Sequence, residues 1–237
     1  MPLVIAYASL VMPAETQNII TIDGPSGVGK STVARLLANR LGYTYLDTGA
    51  MYRAVAYGCQ QAGIDPEDEK AVCRLLQDLT IELHPPAHAD EDVRVLLNGE
   101  EVTPFLRTPE TGMMASRVSS LPVVRHKLTD LQRMMGRNEK IVAEGRDTGT
   151  VVFPKAAWKF YLDAKPEERA NRRLLQLKEN GIKDVDYQAI LQQILIRDQN
   201  DSKRSIAPLK AASDAVLLDS TNDSAEDIVK QMLAHIK

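Results

Sequence analysis

The segment Asn18 to Gly42, NIITIDGPSGVGKSTVARLLANRLG, restricts the fold more than any other part of the chain. Within it, Gly24, Pro25, Ser26, Gly27, Val28, Gly29, Lys30 and Ser31 fit the P-loop pattern G-x-x-x-x-G-K-[ST]. Before the loop stand Ile19, Ile20 and Ile22, β-branched as a buried parallel strand prefers. After it, Ser31 to Leu41 carries the apolar spacing of a helix. Glycines let the backbone take conformations closed to residues with a Cβ, so successive N–H groups turn inward and make a concave anion site. The helix start adds its positive end. Lys30 then reaches the β- and γ-phosphates, and the Ser31 hydroxyl, followed by Thr32, is placed to complete a Mg²⁺ shell made mostly of water and phosphate oxygens. The loop predicts a nucleoside triphosphate with Mg²⁺. It does not name the acceptor, because GTPases, motor ATPases and small-molecule kinases share it.

Composition narrows the field. At 237 residues and 44% hydrophobic, the chain buries one good core, with room for a small inserted subdomain. A net charge of −3 gives no general pull toward nucleic acid or an anionic membrane, so any basic cluster is local. Cys59 and Cys73 lie in amphipathic helical stretches without metal-type spacing, which suits core packing in a reducing compartment and no disulfide. Met1 to Gln17 is apolar early on but has no cationic start, and its apolar run is too short to span a bilayer. It reads as a disordered extension, or as sequence upstream of a true start at Met12. The expected compartment is the cytoplasm.

Further along, a short strand ends at Asp47, a Thr48-Gly49 step follows, and a helix runs from about Ala50. The runs IELHPP and VRVLLNGEEVT, with the turn dipeptide Asn98-Gly99, predict short antiparallel strands within residues 75 to 105. Two helices come next, up to about residue 137. KIVAEGRD reads as a buried strand ending at Glu144, and WKFYLDA as another. Two helices, the strand AVLLDS and a last helix opened by the Ser224 and Asp227 capping pattern close the chain. Strands alternating with helices make a doubly wound α/β domain, in which ligands gather beyond the carboxyl ends of the strands.

Those ends are where the charges collect: Asp47-Thr48-Gly49 with Arg53 nearby, and Glu144-Gly145-Arg146-Asp147. Arg169, Arg172 and Arg173 stand at i, i+3, i+4 on one helix face, as a solvated stripe or, near a polyphosphate, a mobile clamp. Arg197, Asp201 and Arg204 form a second group, with Asp201 read as the partner of Arg197. No [N/T]-K-x-D guanine-reading motif occurs, and no apolar strand ends in Asp-Glu as in motor ATPases. Arginines spread over several elements point to a second phosphate-bearing substrate, the situation of a kinase.

GPSGVGKST, LDTGAMYR, EGRDTGTVVFP, RRLLQL and the RD..D..R..APL run together resemble the bacterial cytidylate (CMP/dCMP) kinases from about Ile19 to the C-terminus. The resemblance implies a doubly wound parallel-sheet P-loop kinase core, about 18–62 and 140–237. It adds an antiparallel-sheet monophosphate-binding insert at about 63–135 and a short helical lid at about 167–184. It implies ATP-dependent phosphorylation of CMP and dCMP to CDP and dCDP by a monomer, with Mg²⁺. By resemblance Lys30, Arg146, Arg172 and Arg173 are catalytic, and the loop with Thr32 and Arg169 binds ATP. Thr48, Asp201 and Arg197 lie at the acceptor sugar, and Arg53, Arg146 and Arg204 hold its phosphate. Ser116, Arg125 and Asp147 read cytosine, and Tyr52 lines that site. Thr48 and Glu144 stand where the family often has Ser and Asp, which keeps the hydroxyl and the charge. A kinase for UMP or a non-nucleotide alcohol, or a regulatory P-loop NTPase, remain the alternatives.

Overall fold

Ile19, Ile20 and Ile22 lie in β1 (Gln17–Asp23), each wholly shielded from solvent. Burying an isoleucine side chain contributes about 1.5–3 kcal/mol, so this strand fixes the centre of the molecule. The computed structural model describes residues 17–84, 93–137, 139–179, 181–182 and 184–236. The extension read over residues 1 to 17, and the alternative start at Met12, fall outside them except for Gln17, whose backbone opens β1.

β1 pairs in parallel with β6 (Ile141–Gly145) on one side and β7 (Ala156–Asp163) on the other. β2 (Thr44–Asp47) lies beyond β6 and β8 (Val216–Asp219) beyond β7, giving the order β2-β6-β1-β7-β8. Side chains alternate between faces, so Ile20, Ile22, Val142 and Phe160 meet α1 (Lys30–Leu41) and α8 (Ala225–His235), while Ile19, Ile141 and Phe153 close the opposite face. β1 leads outward to β2, whereas its neighbour β6 leads the other way to β7. The connections therefore part between β1 and β6, and a crevice opens at their carboxyl ends.

The predicted insert is a small antiparallel sheet of β3 (Ile81–His84), β4 (Arg94–Leu97) and β5 (Glu100–Glu101). Residues 85–92 between its first two strands, including the proline pair of IELHPP, lie outside the described residues. Asn98 (φ 52°) and Gly99 (φ 82°) both take the left-handed conformation that a tight two-residue hairpin demands. Around the sheet stand α3 (Glu69–Asp78), α4 (Pro109–Val118) and α5 (Pro122–Met135). Their apolar side chains share one cluster with Met51, Ala54, Val55 and Cys59 of α2 (Thr48–Gln61), so the insert is cored against α2 and not within itself. That helix starts earlier than Ala50, because Asp47 caps it by accepting from the Ala50 N–H at 2.9 Å. The Thr-Gly step is its first turn. Cys59 is buried, Cys73 half-buried, and both are free thiols.

α6 (Pro166–Glu179) and α7 (Tyr187–Lys203) form a hairpin with its own seam of Ala170, Leu177, Ile190 and Ile194. Ser224 caps α8, accepting from the Asp227 N–H at 3.2 Å while its hydroxyl donates to the Asp227 carboxylate at 2.6 Å. Among the described residues no helix is long and apolar enough to cross a membrane.

Candidate active site

The glycine loop takes the shape its sequence requires. Gly27 (φ 80°) and Gly29 (φ 92°) are left-handed, which turns the backbone N–H groups toward one centre at the start of α1. The loop is also braced from far away. A Cβ on Gly24 would stand 2.0 Å from the Leu162 carbonyl oxygen, so this glycine exists to let β7 come close. Arg169 donates to the Ser26 carbonyl at 3.0 Å, and the Ser220 hydroxyl donates to the Val28 carbonyl at 2.9 Å. Lys30 is buried and donates to the Pro25 carbonyl at 2.6 Å. Burial first, and Arg146 second, push its ammonium down to about 7.

Beside the loop a cleft of about 630 Å³ opens at the carboxyl ends of β1, β2 and β6. Ser26, Gly27, Gly29, Lys30, Ser31 and Thr32 line it from the loop; Gly24, Pro25 and Val28 do not. Every residue that the family resemblance puts at the acceptor lines it as well.

At the far end Asp147 is buried between two guanidinium groups. Arg125 Nη2 donates to its Oδ2 at 2.5 Å and Arg204 Nη2 to its Oδ1 at 3.3 Å. Arg125 also donates to the Ser119 carbonyl at 3.0 Å and stands 5.5 Å over the Tyr52 ring. Burial pushes the Tyr52 phenol up to about 12, so it is neutral. Arg204 is held from behind by the Ala207 carbonyl at 2.6 Å, and Ala207 sits at φ 48°, a conformation that costs a non-glycine residue about 1 kcal/mol. The Ser116 hydroxyl is buried without a hydrogen-bond partner among the described residues.

Between the two ends guanidinium groups converge. Arg53, Arg173 and Arg197 are all held below the usual arginine range, by burial first and then by neighbouring arginines, and Arg197 falls to about 10. Its Nε is buried with no partner among the described residues. Like charges gathered this way disfavour their own protonation, and an anion placed among them removes the penalty.

Arg107 belongs to the same group. It lines the cleft, donates to Asp47 Oδ2 at 3.3 Å and depresses both Arg53 and Arg173. Sequence reading passes over it because it follows a single 3₁₀ turn, Thr103–Phe105, and shares no helical spacing with other arginines.

Two expectations are corrected. Asp201 does not take Arg197 as its hydrogen-bonded partner: it accepts from Arg146 Nε at 2.9 Å and lies 3.7 Å from Arg204. Burial alone would raise its carboxyl, but Arg146 and then Arg204 hold it below the usual range. Nor do all three arginines of α6 face the cleft: Arg172 and Arg173 line it, Arg172 with Nη1 4.0 Å from where a Cβ on Gly29 would be, while Arg169 at the foot of the helix packs under the loop. Arg169 is 3% exposed and turned to the Ser26 and Ala164 carbonyls. Arg172 pairs with Glu168 at 2.9 Å and reaches the Ser220 carbonyl at 2.5 Å. Arg173 lines the cleft with Gln176, whose side-chain oxygen accepts from it at 2.7 Å. The Thr48 hydroxyl donates to the Glu144 carbonyl at 2.7 Å, and the Glu144 carboxylate accepts from the Tyr45 hydroxyl at 2.6 Å.

The chain matches the family model described as cytidylate kinase over residues 20–237. A cytidylate kinase of Pseudomonas aeruginosa is 48% identical over 217 residues, covering 92% of this chain and 94% of that protein. That of Syntrophotalea carbinolica is 48% identical over 92% of this chain and 91% of its own length. For the cytidylate kinase of Carboxydothermus hydrogenoformans the figures are 46%, 90% and 95%. A cleft with a phosphate loop at one end, a buried Arg-Asp-Arg group at the other and arginines between them is thus built on a sequence that belongs to the cytidylate kinase family.

Proposed function

We propose that the chain transfers the γ-phosphoryl group of ATP to CMP and dCMP, giving ADP with CDP or dCDP. The observation that carries this reading is the set of guanidinium groups between the loop and Asp147: two phosphate-bearing nucleotides meeting end to end need positive charge at their junction. The loop N–H groups and Lys30 hold the β- and γ-phosphates of the donor, and Arg169 supports that site through the Ser26 carbonyl. Arg53, Arg146 and Arg107 hold the acceptor phosphate, with Arg197 and Asp201 toward its sugar and Tyr52, Ser116, Arg125 and Asp147 around its base. An oxygen of the acceptor phosphate attacks the γ-phosphorus in line, the bond to the β–γ bridging oxygen breaks, and ADP leaves.

Mg²⁺ fits the cleft. Ser31 and Glu144 offer hard oxygen donors on its wall, and no cluster of three or more His, Cys, Asp or Glu among the described residues could hold a metal alone. Ser31 would hold the ion with phosphate and water oxygens, and the ion would neutralise charge on the β- and γ-phosphates. A monomer is the proposed working unit, and free Cys59 and Cys73 suit the cytoplasm.

A coupled ADP-release assay over CMP, dCMP, UMP, AMP and GMP tests the reading. Turnover is expected with CMP and dCMP first; equal turnover with AMP or GMP, or none with any acceptor, sinks it. Within the same reaction Arg173 serves the transferring group, since it lines the cleft with Arg53 and Arg107 and feels their charge. Arg173→Met is expected to lower kcat by about 10²-fold while the acceptor KM changes by less than about threefold. An effect confined to acceptor KM would move Arg173 to the acceptor phosphate.

A further inference from the structure

Asp198 lies on α7 one residue past Arg197 and three before Asp201, yet unlike them it does not line the cleft. Its Oδ2 is 2.6 Å from Nη1 of Arg169. The same Arg169 spends Nη1 on the Ser26 carbonyl and Nε on the Ala164 carbonyl, each at 3.0 Å. Its Cβ stands 3.3 Å from where a Cβ on Gly27 would be, so the side chain is wedged under the loop. A guanidinium group 4% exposed among carbonyl oxygens needs a counter-charge, and Asp198 supplies it. Asp198 also favours the charge of Arg146, but less than Asp201 and Glu144 do. Its other oxygen, Oδ1, is buried with no hydrogen-bond partner among the described residues.

We propose that Asp198 is a positioning residue for the donor: through Arg169 it fixes the Ser26 carbonyl, and with it the inward turn of the loop N–H groups, so that α7 joins the acceptor groups on its one side to the phosphate loop on its other. The proposal rests on reading the loop as the donor site. Fixing one carbonyl of a glycine-rich turn fixes the peptide plane whose N–H points into the cradle, because the peptide unit is planar. Loss of the counter-charge frees Arg169 and lets that plane rotate.

The test is calorimetric titration of the full chain with Mg²⁺ and a non-hydrolysable ATP analogue, and separately with CMP. Asp198→Asn is expected to weaken the analogue by about tenfold through loss of the ion pair with Arg169, with the CMP Kd within twofold of wild type. Arg169→Met gives the same split from the other side of the pair and serves alone if the Asn variant does not fold. The double variant is expected to be no weaker than Arg169→Met alone, because Asp198 acts on the loop only through Arg169. Equal weakening of both ligands, an unchanged analogue Kd, or additive losses in the double variant each overturn the proposal. A wild-type chain that binds the analogue but not CMP overturns the acceptor reading above and leaves the donor arm decisive for Asp198.

Discussion

Replacing Asp147 by Asn is expected to lower kcat/KM for CMP by about 10²- to 10³-fold and that for UMP by less than about tenfold, narrowing the preference between them. Cytosine presents an amine at C4 with acceptors at N3 and O2, whereas uracil presents an oxygen at C4 and an N–H at N3. A carboxylate at Asp147 accepts from the cytosine amine and opposes the uracil oxygen with lone pairs. It can do so while holding Arg125 and Arg204, since two carboxylate oxygens offer about four acceptor positions and the two arginines occupy two. Asn retains one acceptor and adds a donor that suits the uracil oxygen. It also keeps a hydrogen bond for Arg125, which Ala would not, and stranding a buried charge costs about 3–5 kcal/mol. Unfolding midpoints measured alongside separate that cost from base reading. Equal losses for both nucleotides would mean that Asp147 only orders its arginines.

Lys30→Met should abolish nearly all turnover, by about 10³-fold or more in kcat, with the fold intact. Methionine keeps the buried stem and removes the charge that meets the β- and γ-phosphates. The same substitution has a pH signature in the ligand-free chain. Lys30 is pushed down from 10.5 to about 7 by burial, so between those values the unfolded chain binds the extra proton and the native chain does not. Wild-type stability therefore rises with pH through that window, and the penalty is fully present below about 7. In the Met variant this rise should be smaller and stability near neutral pH no lower. A variant with wild-type kcat would remove the loop lysine from phosphoryl transfer.

Much of this architecture is legible in the residues alone. The strand-loop-helix order, the Asn98-Gly99 turn and the Ser224 cap are set by local chemistry: β-branching, positive φ and a hydroxyl three residues from an acidic side chain. What a motif cannot convey is which of its members face the ligand. Gly24 and Val28 belong to the loop pattern, yet one makes room for Leu162 and the other is buried in the sheet's core. Partner choice is equally hidden. Helical spacing suggests Arg197 for Asp201, but Arg146, delivered by a strand 55 residues away in the chain, arrives at its carboxylate instead. Arg107 is found only when Asp47 and the hairpin bring its turn over the cleft. Local spacing carries element type; the sheet order decides which charges meet.

The phosphate loop is contiguous in sequence but assembled from the whole chain. Its backbone rests on Leu162, Arg169 and Ser220, and β1 cannot pair with β7 until residue 163 exists. A polypeptide emerging from the ribosome carries the last loop residue, Ser31, 189 positions before Ser220, so the loop sequence is made long before its last brace. The braces of the loop therefore come late in synthesis. A ligand that recognises only the braced loop would stabilise the native state and slow its unfolding without speeding first folding.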